Sequence, residues 1–403
     1  MSSVNPSGPL AGLKIFDLTR VLAGPTCVQM LADLGADVIK IEKPGSGDDT
    51  RGFAPPAMPG TAESAYFAGV NRNKKSVTLD IATPAGQDIA RTLIAQCDIL
   101  VENFKVGALA KYGLGYDDLR ERHPGLIYCS ITGFGQTGPY ARRPGYDSLI
   151  QAMGGVMSLT GAVDGEPQKV GVPVADLFAG LYGCIGILAA LRHRERTGAG
   201  QQVDIGMLDT SVAWLANQGM NFLATGENPP RLGNQHPNIV PYQVFASADG
   251  YLVLSIGNDP SFAKFCRNFG CEALLADPRF ATNAARVTNR QLVTETLAPI
   301  MRAQTTAWWI QKLEALQIGC GPINTLSQVF ADPQVVARGN IIEMEHASGA
   351  MMSLIANPVR LSATPADYRM PPPLLGQHTD EILTSRAGLD EAALRRLRTD
   401  KII

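Results

Sequence analysis

Lys14-Ile-Phe-Asp-Leu18 leads to Pro25 and a run ending at Leu34-Gly35, and then to Ala36-Asp-Val-Ile-Lys-Ile-Glu42. The first run is a short apolar strand. Pro25 stands where a first-turn proline belongs, and Gly35 stops the helix at about Leu34. The third run is a second strand. The same alternation continues outward through a strand at Ser76-Val-Thr-Leu-Asp80, an amphipathic helix from Pro84 to Cys97, and strands Asp98-Ile-Leu-Val-Glu102 and Leu126-Ile-Tyr-Cys-Ser-Ile131. Strands alternating with helices at this spacing predict an α/β fold, with a mostly parallel sheet covered on both faces. Ligands of such sheets sit at the carboxyl ends of the strands.

Further along, a helix is predicted from about Leu177 to Arg196, apolar for four turns and ending in Arg192-His-Arg-Glu-Arg196. Cations there favour the helix dipole, and Gly198 stops the helix. Val203 to Met207 reads as another strand. From about 225 to 320 short strands such as Tyr251-Leu-Val-Leu-Ser-Ile256 precede helices, with Pro229-Pro230 near the entry. This stretch predicts a smaller α+β domain. The C-terminal part holds an extended Pro371-Pro-Pro373 and ends in a polar amphipathic helix.

The 403 residues are 45% apolar and 18% charged, enough for a large core and against disorder. Lys+Arg 35 against Asp+Glu 37 leaves a net charge of −2, which offers nothing to a nucleic-acid backbone. The opening MSSVNPSGPLAGL has neither a basic n-region nor an apolar h-region, so no secretory leader is expected. Leu177 to Leu191 is short for a bilayer span, and a soluble protein is expected. The seven cysteines form no C-x-x-C and only five histidines accompany them, so no metal site is expected. Cys266 and Cys271 could pair, but free thiols in a reducing cytoplasm are the expectation.

Gly133-Phe-Gly135-Gln-Thr-Gly138 has the dinucleotide spacing, but Pro139 and Pro144 follow where a phosphate-binding helix must begin. No nucleophile elbow or P-loop occurs. Asp176 opens the long apolar helix after Gly171-Val-Pro-Val-Ala175. From spacing alone it reads first as an N-cap; the sharper reading is a carboxylate aimed into a cleft from the helix N-terminus, and spacing does not settle between them.

Taken together, Asp17-Leu-Thr-Arg-Val-Leu-Ala-Gly-Pro25, Gly35 to Glu42, Gly47-Asp-Asp-Thr-Arg51, Asn71-Arg-Asn-Lys-Lys-Ser76, Val101-Glu-Asn-Phe104 and Leu375-Gly-Gln-His-Thr379 closely resemble the class III CoA-transferases along essentially the whole chain. The resemblance implies a Rossmann-like large domain from both chain ends: residues 1–200, with 321–403 as return linker and C-terminal part. It implies a linker at 201–224, the small domain at 225–320, and an interlocked homodimer. It also implies acyl-CoA and a small carboxylic acid as substrates, with no tightly bound cofactor.

The resemblance makes Asp176 the nucleophile that forms an aspartyl-CoA thioester. An aspartate is ordinarily ionised at neutral pH, so no general base is expected. Lys43, Lys111 and Arg143 match phosphate-contacting positions. Leu79, Asp80 and Ile81 match the adenine-facing turn, and Asn103, Phe104 and Lys105 the pantetheine and pyrophosphate wall. Val21, Leu22 and Tyr112 complete the implied CoA site. Tyr146 occupies the place of the proton-shuttling histidine of the family's racemase branch; a phenol is a poor base for an α-proton, so the transferase reading is preferred. A racemase, or a CoA-binding protein without turnover, remains the alternative. Asp147 matches an acidic position near the nucleophile. Arg231 to Gln243 and Pro371 to His378 look most like the branch using succinyl-CoA and glutarate, which implies a short dicarboxylate or a sulfinate analogue. A distal anion needs a cation or amide donors; Arg20, Arg51 and His236 are the candidates.

Overall fold

Six short strands build one sheet in the computed structural model, which describes residues 8–403. The strands are β1 (Lys14–Asp17), β2 (Asp37–Glu42), β3 (Lys74–Thr78), β4 (Ile99–Glu102), β5 (Ile127–Thr132) and β6 (Gln202–Gly206). They lie in the order β3-β2-β1-β4-β5-β6, and every pairing is parallel. This is the doubly wound, Rossmann-like order. The chain winds outward from β1 to β3, returns to β4 beside β1, and so opens a crevice beyond their carboxyl ends. The register there is Ile15 to Ile99, Phe16 to Leu100 and Asp17 to Val101.

Side chains alternate across the sheet, as strand geometry requires. Ile15, Val38, Ile99, Val101 and Ile127 face a core shared with the helices Ala23–Asp33 and Val174–Thr197. Phe16, Ile39, Val77 and Leu100 face a second core with the helix Pro84–Ile94 and the C-terminal helices Thr379–Ala387 and Glu391–Thr399. The helix Val174–Thr197 is 24 residues, long and apolar enough to cross a membrane by composition; in this fold half of its apolar window is buried. Its glycines admit a close neighbour: a Cβ at Gly180 would stand 2.6 Å from the Ala23 carbonyl oxygen.

Packing divides the described residues into two units: 8–155, 170–214 and 336–403 form one, and 156–169 with 215–335 the other. The expected linker at 201–224 is occupied by β6, the helix Met207–Trp214 and all but the last residue of the helix Ala216–Thr225. The smaller unit has an antiparallel sheet of β7 (Tyr242–Ala246), β8 (Tyr251–Ser255) and β9 (Gly319–Pro322), in that order. Trp309, Phe262, Phe265, Leu297 and Leu313 fill its core beneath helices that include Asp259–Asn268 and Arg290–Arg302.

Several boundaries move. β3 begins at Lys74, not Ser76, because the buried Lys74 ammonium is held by Asp17 Oδ2 at 3.1 Å, Asn71 Oδ1 at 3.0 Å and the Pro25 carbonyl at 3.1 Å. The long helix starts at Val174 with Pro173 at its N-cap, so Asp176 sits inside the first turn and is not the cap. A hairpin of Ile341–Glu345 and Met351–Ile355 was not expected; it packs Met344, Met352 and Leu354 with Ala68. All seven cysteines are free, Cys266 and Cys271 included. Residues 1–7 of the opening stretch lie outside the described residues.

Candidate active site

The crevice is built from the two chain segments that leave β1 and β4. Asp17 Oδ1 accepts the Thr19 N–H at 2.8 Å and the Thr19 hydroxyl at 2.6 Å, turning the chain as it leaves the sheet. Opposite, the Asn103 amide clasps Arg20 on both sides. Arg20 N–H donates to Asn103 Oδ1 at 2.9 Å, and Asn103 Nδ2 donates to the Arg20 carbonyl at 2.7 Å. The Phe104 N–H donates to Glu102 Oε2 at 2.7 Å, fixing the wall behind the clasp. Burial pushes the Glu102 carboxyl up to about 7.

Between these segments lies a cavity of about 230 Å³ with Asp176 in its wall. Val21, Leu22, Asn103, Phe104 and Lys105 line it, as do Arg20, Arg143, Tyr146 and Asp147. An adjoining cavity of about 360 Å³ is lined by Lys43, Leu79, Asp80, Ile81, Phe104 and Tyr112. Arg20, Asp49 and Phe104 belong to both. Lys111 lines neither of these cavities; its ammonium lies 4.6 Å from the centre of the Tyr112 ring. Arg143 lies 4.5 Å from the Tyr140 ring centre and 5.5 Å from that of Phe134.

Asp147 begins the helix Asp147–Met153 and ties down the helix that carries Asp176. Its Oδ1 accepts the Ala175 N–H at 2.9 Å, and its Oδ2 accepts from Gln151 Nε2 at 2.7 Å. One carboxylate thus satisfies a free amide next to the other carboxylate. Burial, and then the charge of Asp147, push Asp176 up from 3.8 to about 7. The expectation of a fully ionised aspartate is corrected: burial costs the charged form its hydration, and a like charge adds to the cost.

The candidate anion receptors separate. Arg51 is spent within the fold: Nε and Nη2 each donate to Glu42 at 2.8 Å, Nη1 to Glu63 at 3.1 Å and Nη2 to the Pro373 carbonyl at 3.1 Å. Its guanidinium lies 3.7 Å from the Phe67 ring centre, so it holds the loop after β2 and has no fork left for a ligand. His236 belongs to the smaller unit, where its ring stacks on Tyr242 and its Nδ1 accepts the Asn238 N–H at 3.1 Å. Arg20 makes a 3.5 Å contact to Asp49, with both side chains about half exposed, and its guanidinium lies 4.9 Å from the Phe104 ring centre.

Sequence reading missed Asp49, Met207 and Thr132 in the first cavity wall. It also missed Tyr66, whose phenol is pushed up by burial and then by the charges of Asp176, Asp147 and Asp48. The glycine-rich run has a different reason from phosphate binding. A Cβ on Gly145 would come within 2.3 Å of Gly133 Cα, so these glycines let two backbone segments cross beside the cavity. Among the described residues no group of three or more His, Cys, Asp or Glu could hold a metal ion.

Residues 10–379 match CoA-transferase family III. A succinate–glutarate CoA-transferase from Agrobacterium fabrum is 47% identical over 397 residues, spanning 96% of this chain and 98% of that protein. The succinyl-CoA:glutarate CoA-transferase of Homo sapiens is 42% identical over 402 residues, spanning 100% of this chain and 91% of that one. A solved CaiB/BaiF family protein from Brucella suis superposes with a TM-score of 0.83 at 47% identity, covering 95% of this chain and 100% of the other.

Proposed function

The chain belongs to CoA-transferase family III, and from that premise we propose that it moves coenzyme A from succinyl-CoA to glutarate through Asp176. The observation that carries the proposal is a carboxylate in the wall of a switch-point cavity that also holds Arg20, Lys105 and Arg143. The Asp176 carboxylate adds to the thioester carbonyl, and collapse breaks the C–S bond. That step leaves a succinyl-aspartyl anhydride and CoA thiolate. The thiolate adds to the aspartyl carbonyl and expels succinate, leaving an aspartyl-CoA thioester. Glutarate then attacks that thioester, the thiolate leaves again, and its return to the glutaryl carbonyl frees Asp176. No net proton is gained or lost, and the catalytic demand is positioning and oxyanion stabilisation.

The acyl-CoA occupies the two adjoining cavities, with Lys43, Leu79, Asp80, Ile81 and Tyr112 toward the nucleotide end. Val21, Leu22, Asn103, Phe104, Lys105 and Arg143 lie along the arm, and Lys111, which lines neither cavity, supplies charge from beside Tyr112. Tyr146 and Asp147 flank the nucleophile. Arg20 receives the distal carboxylate, since its contact to Asp49 is long and open to water and is a weak competitor. A sulfinate acid fits the same demand for a second anion. The working form is a homodimer in a reducing, cytoplasmic setting; Ile185, 60% exposed on the helix Val174–Thr197, is apolar surface for a second copy to cover.

The test is to incubate the protein with succinyl-CoA and, separately, glutarate, oxalate, 3-sulfinopropionate and acetate. CoA esters are then followed by mass spectrometry. Glutaryl-CoA forming faster than the other products supports the proposal. Transfer to none of these acids, with deuterium exchange at the acyl α-carbon, would instead establish the racemase chemistry.

A further inference from the structure

Val21 is a β-branched residue in the left-handed region, with φ +69°. Such residues rarely adopt this conformation, so the surroundings must enforce it. Val21 N–H donates to Asp48 Oδ1 at 3.2 Å. The same oxygen accepts the Thr50 N–H at 3.0 Å and the Thr50 hydroxyl at 2.8 Å. Asp48 Oδ2 accepts from Lys40 Nζ at 2.9 Å, and Lys40 Nζ also donates to the Thr19 carbonyl at 2.7 Å. Both members of this ion pair have fully buried side chains.

Asp48 therefore grips the turn after β1 twice: directly at Val21, and through the Lys40 ammonium at Thr19. Between those two points Arg20 is held by the Asn103 clasp. We propose that Asp48 is a positioning residue for acyl-CoA: with Lys40 it locks the Thr19–Val21 turn and holds Arg20, Val21 and Leu22 in the cavity wall in their binding arrangement. The turn is then rigid before the ligand arrives, and binding does not have to order it. A carboxylate is required because its second oxygen faces an ammonium; an amide would turn either an oxygen away from Val21 or an NH₂ toward Lys40. The proposal rests on the cavity being the acyl-CoA site.

The test is a double-mutant cycle of Asp48→Asn with Val21→Gly, reading KM and kcat for succinyl-CoA alongside the thermal midpoint. Glycine adopts positive φ without enforcement, so the turn needs Asp48 less in that background. Asp48→Asn is expected to raise KM about tenfold in the wild-type background, the scale of one lost hydrogen bond to a buried charge. In the Val21→Gly background the same substitution is expected to raise KM by less than about threefold, because a φ-compatible glycine removes the strain. Equal penalties in the two backgrounds, or a folded Asp48→Asn protein with unchanged KM, would overturn the proposal.

If Asp48→Asn alone does not fold, Lys40→Met with Asp48→Ala removes both buried charges together and is carried through the same cycle. A wild-type protein that neither binds nor turns over succinyl-CoA would refute the proposed function, and is seen before any variant is made.

Discussion

Asp176→Asn is expected to stabilise the protein at alkaline pH while abolishing transfer. Burial, with Asp147 beside it, raises the Asp176 carboxyl from 3.8 to about 7. The unfolded chain therefore loses this proton first, and stability falls as pH rises from about 4 to about 7 and stays low above. At about 1.4 kcal/mol per pH unit the full loss is roughly 4 kcal/mol, an upper value because Asp176 keeps some access to cavity water. The asparagine is neutral throughout and escapes the loss. Its advantage over wild type should grow by about 2–3 kcal/mol between pH 5 and pH 8. Glu102, also held near 7 by burial, titrates in both proteins and cancels from the comparison. Calorimetry of the two ligand-free proteins across that range is the assay. Parallel stability curves would refute the reasoning, since they would mean that Asp176 ionises as an ordinary exposed aspartate.

Three further outcomes are expected. Asp147→Asn keeps an acceptor for the Ala175 N–H but removes the second negative charge, so the acid limb of kcat/KM should move to lower pH by up to about one unit; an unmoved or rising limb in the pH profile contradicts this. Arg20→Ala should raise KM for glutarate about tenfold or more, Arg20→Lys by less, with little change for a monocarboxylic acid; equal losses for both acids would remove Arg20 from the distal anion. Gly145→Ala forces a Cβ within 2.3 Å of Gly133 Cα and should destabilise by about 1–3 kcal/mol, read as a lowered thermal midpoint; a wild-type midpoint would mean that the crossing relaxes freely.

Much of the sheet was legible because its signals are local. Lys14-Ile-Phe-Asp-Leu18 and Asp98 to Glu102 are apolar runs with stops on either side, and both became strands within a residue. Gly198 ends the long helix in the left-handed conformation, as its sequence position predicted. Lys74 was misjudged because a charge at a strand edge reads as the strand's end. The distant Asp17 and Pro25, with Asn71 three residues away, make its burial tolerable.

The site divides in the same way. Asp176 and the segment Asn103 to Lys105 could be named from motifs, and both line the cavity. Arg51 could not be separated from Arg20 by sequence, since one is consumed by Glu42 and Glu63 and the other is not. Lys40 sits within an ordinary strand pattern and Asp48 within a polar loop. Their pairing, and the strain it enforces at Val21, exist only once β1 and β2 lie side by side. The raised Asp176 carboxyl is likewise a property of packing, and no spacing announces it.

The proposed reaction attaches CoA covalently to Asp176 during transfer. The direct measurement is peptide mass spectrometry after incubation with succinyl-CoA and trapping with hydroxylamine. A hydroxamate is expected on the peptide that contains Asp176, dependent on succinyl-CoA and absent from Asp176→Asn. Glutaryl-CoA formation at full rate with an unmodified Asp176, or transfer surviving in Asp176→Asn, would contradict it.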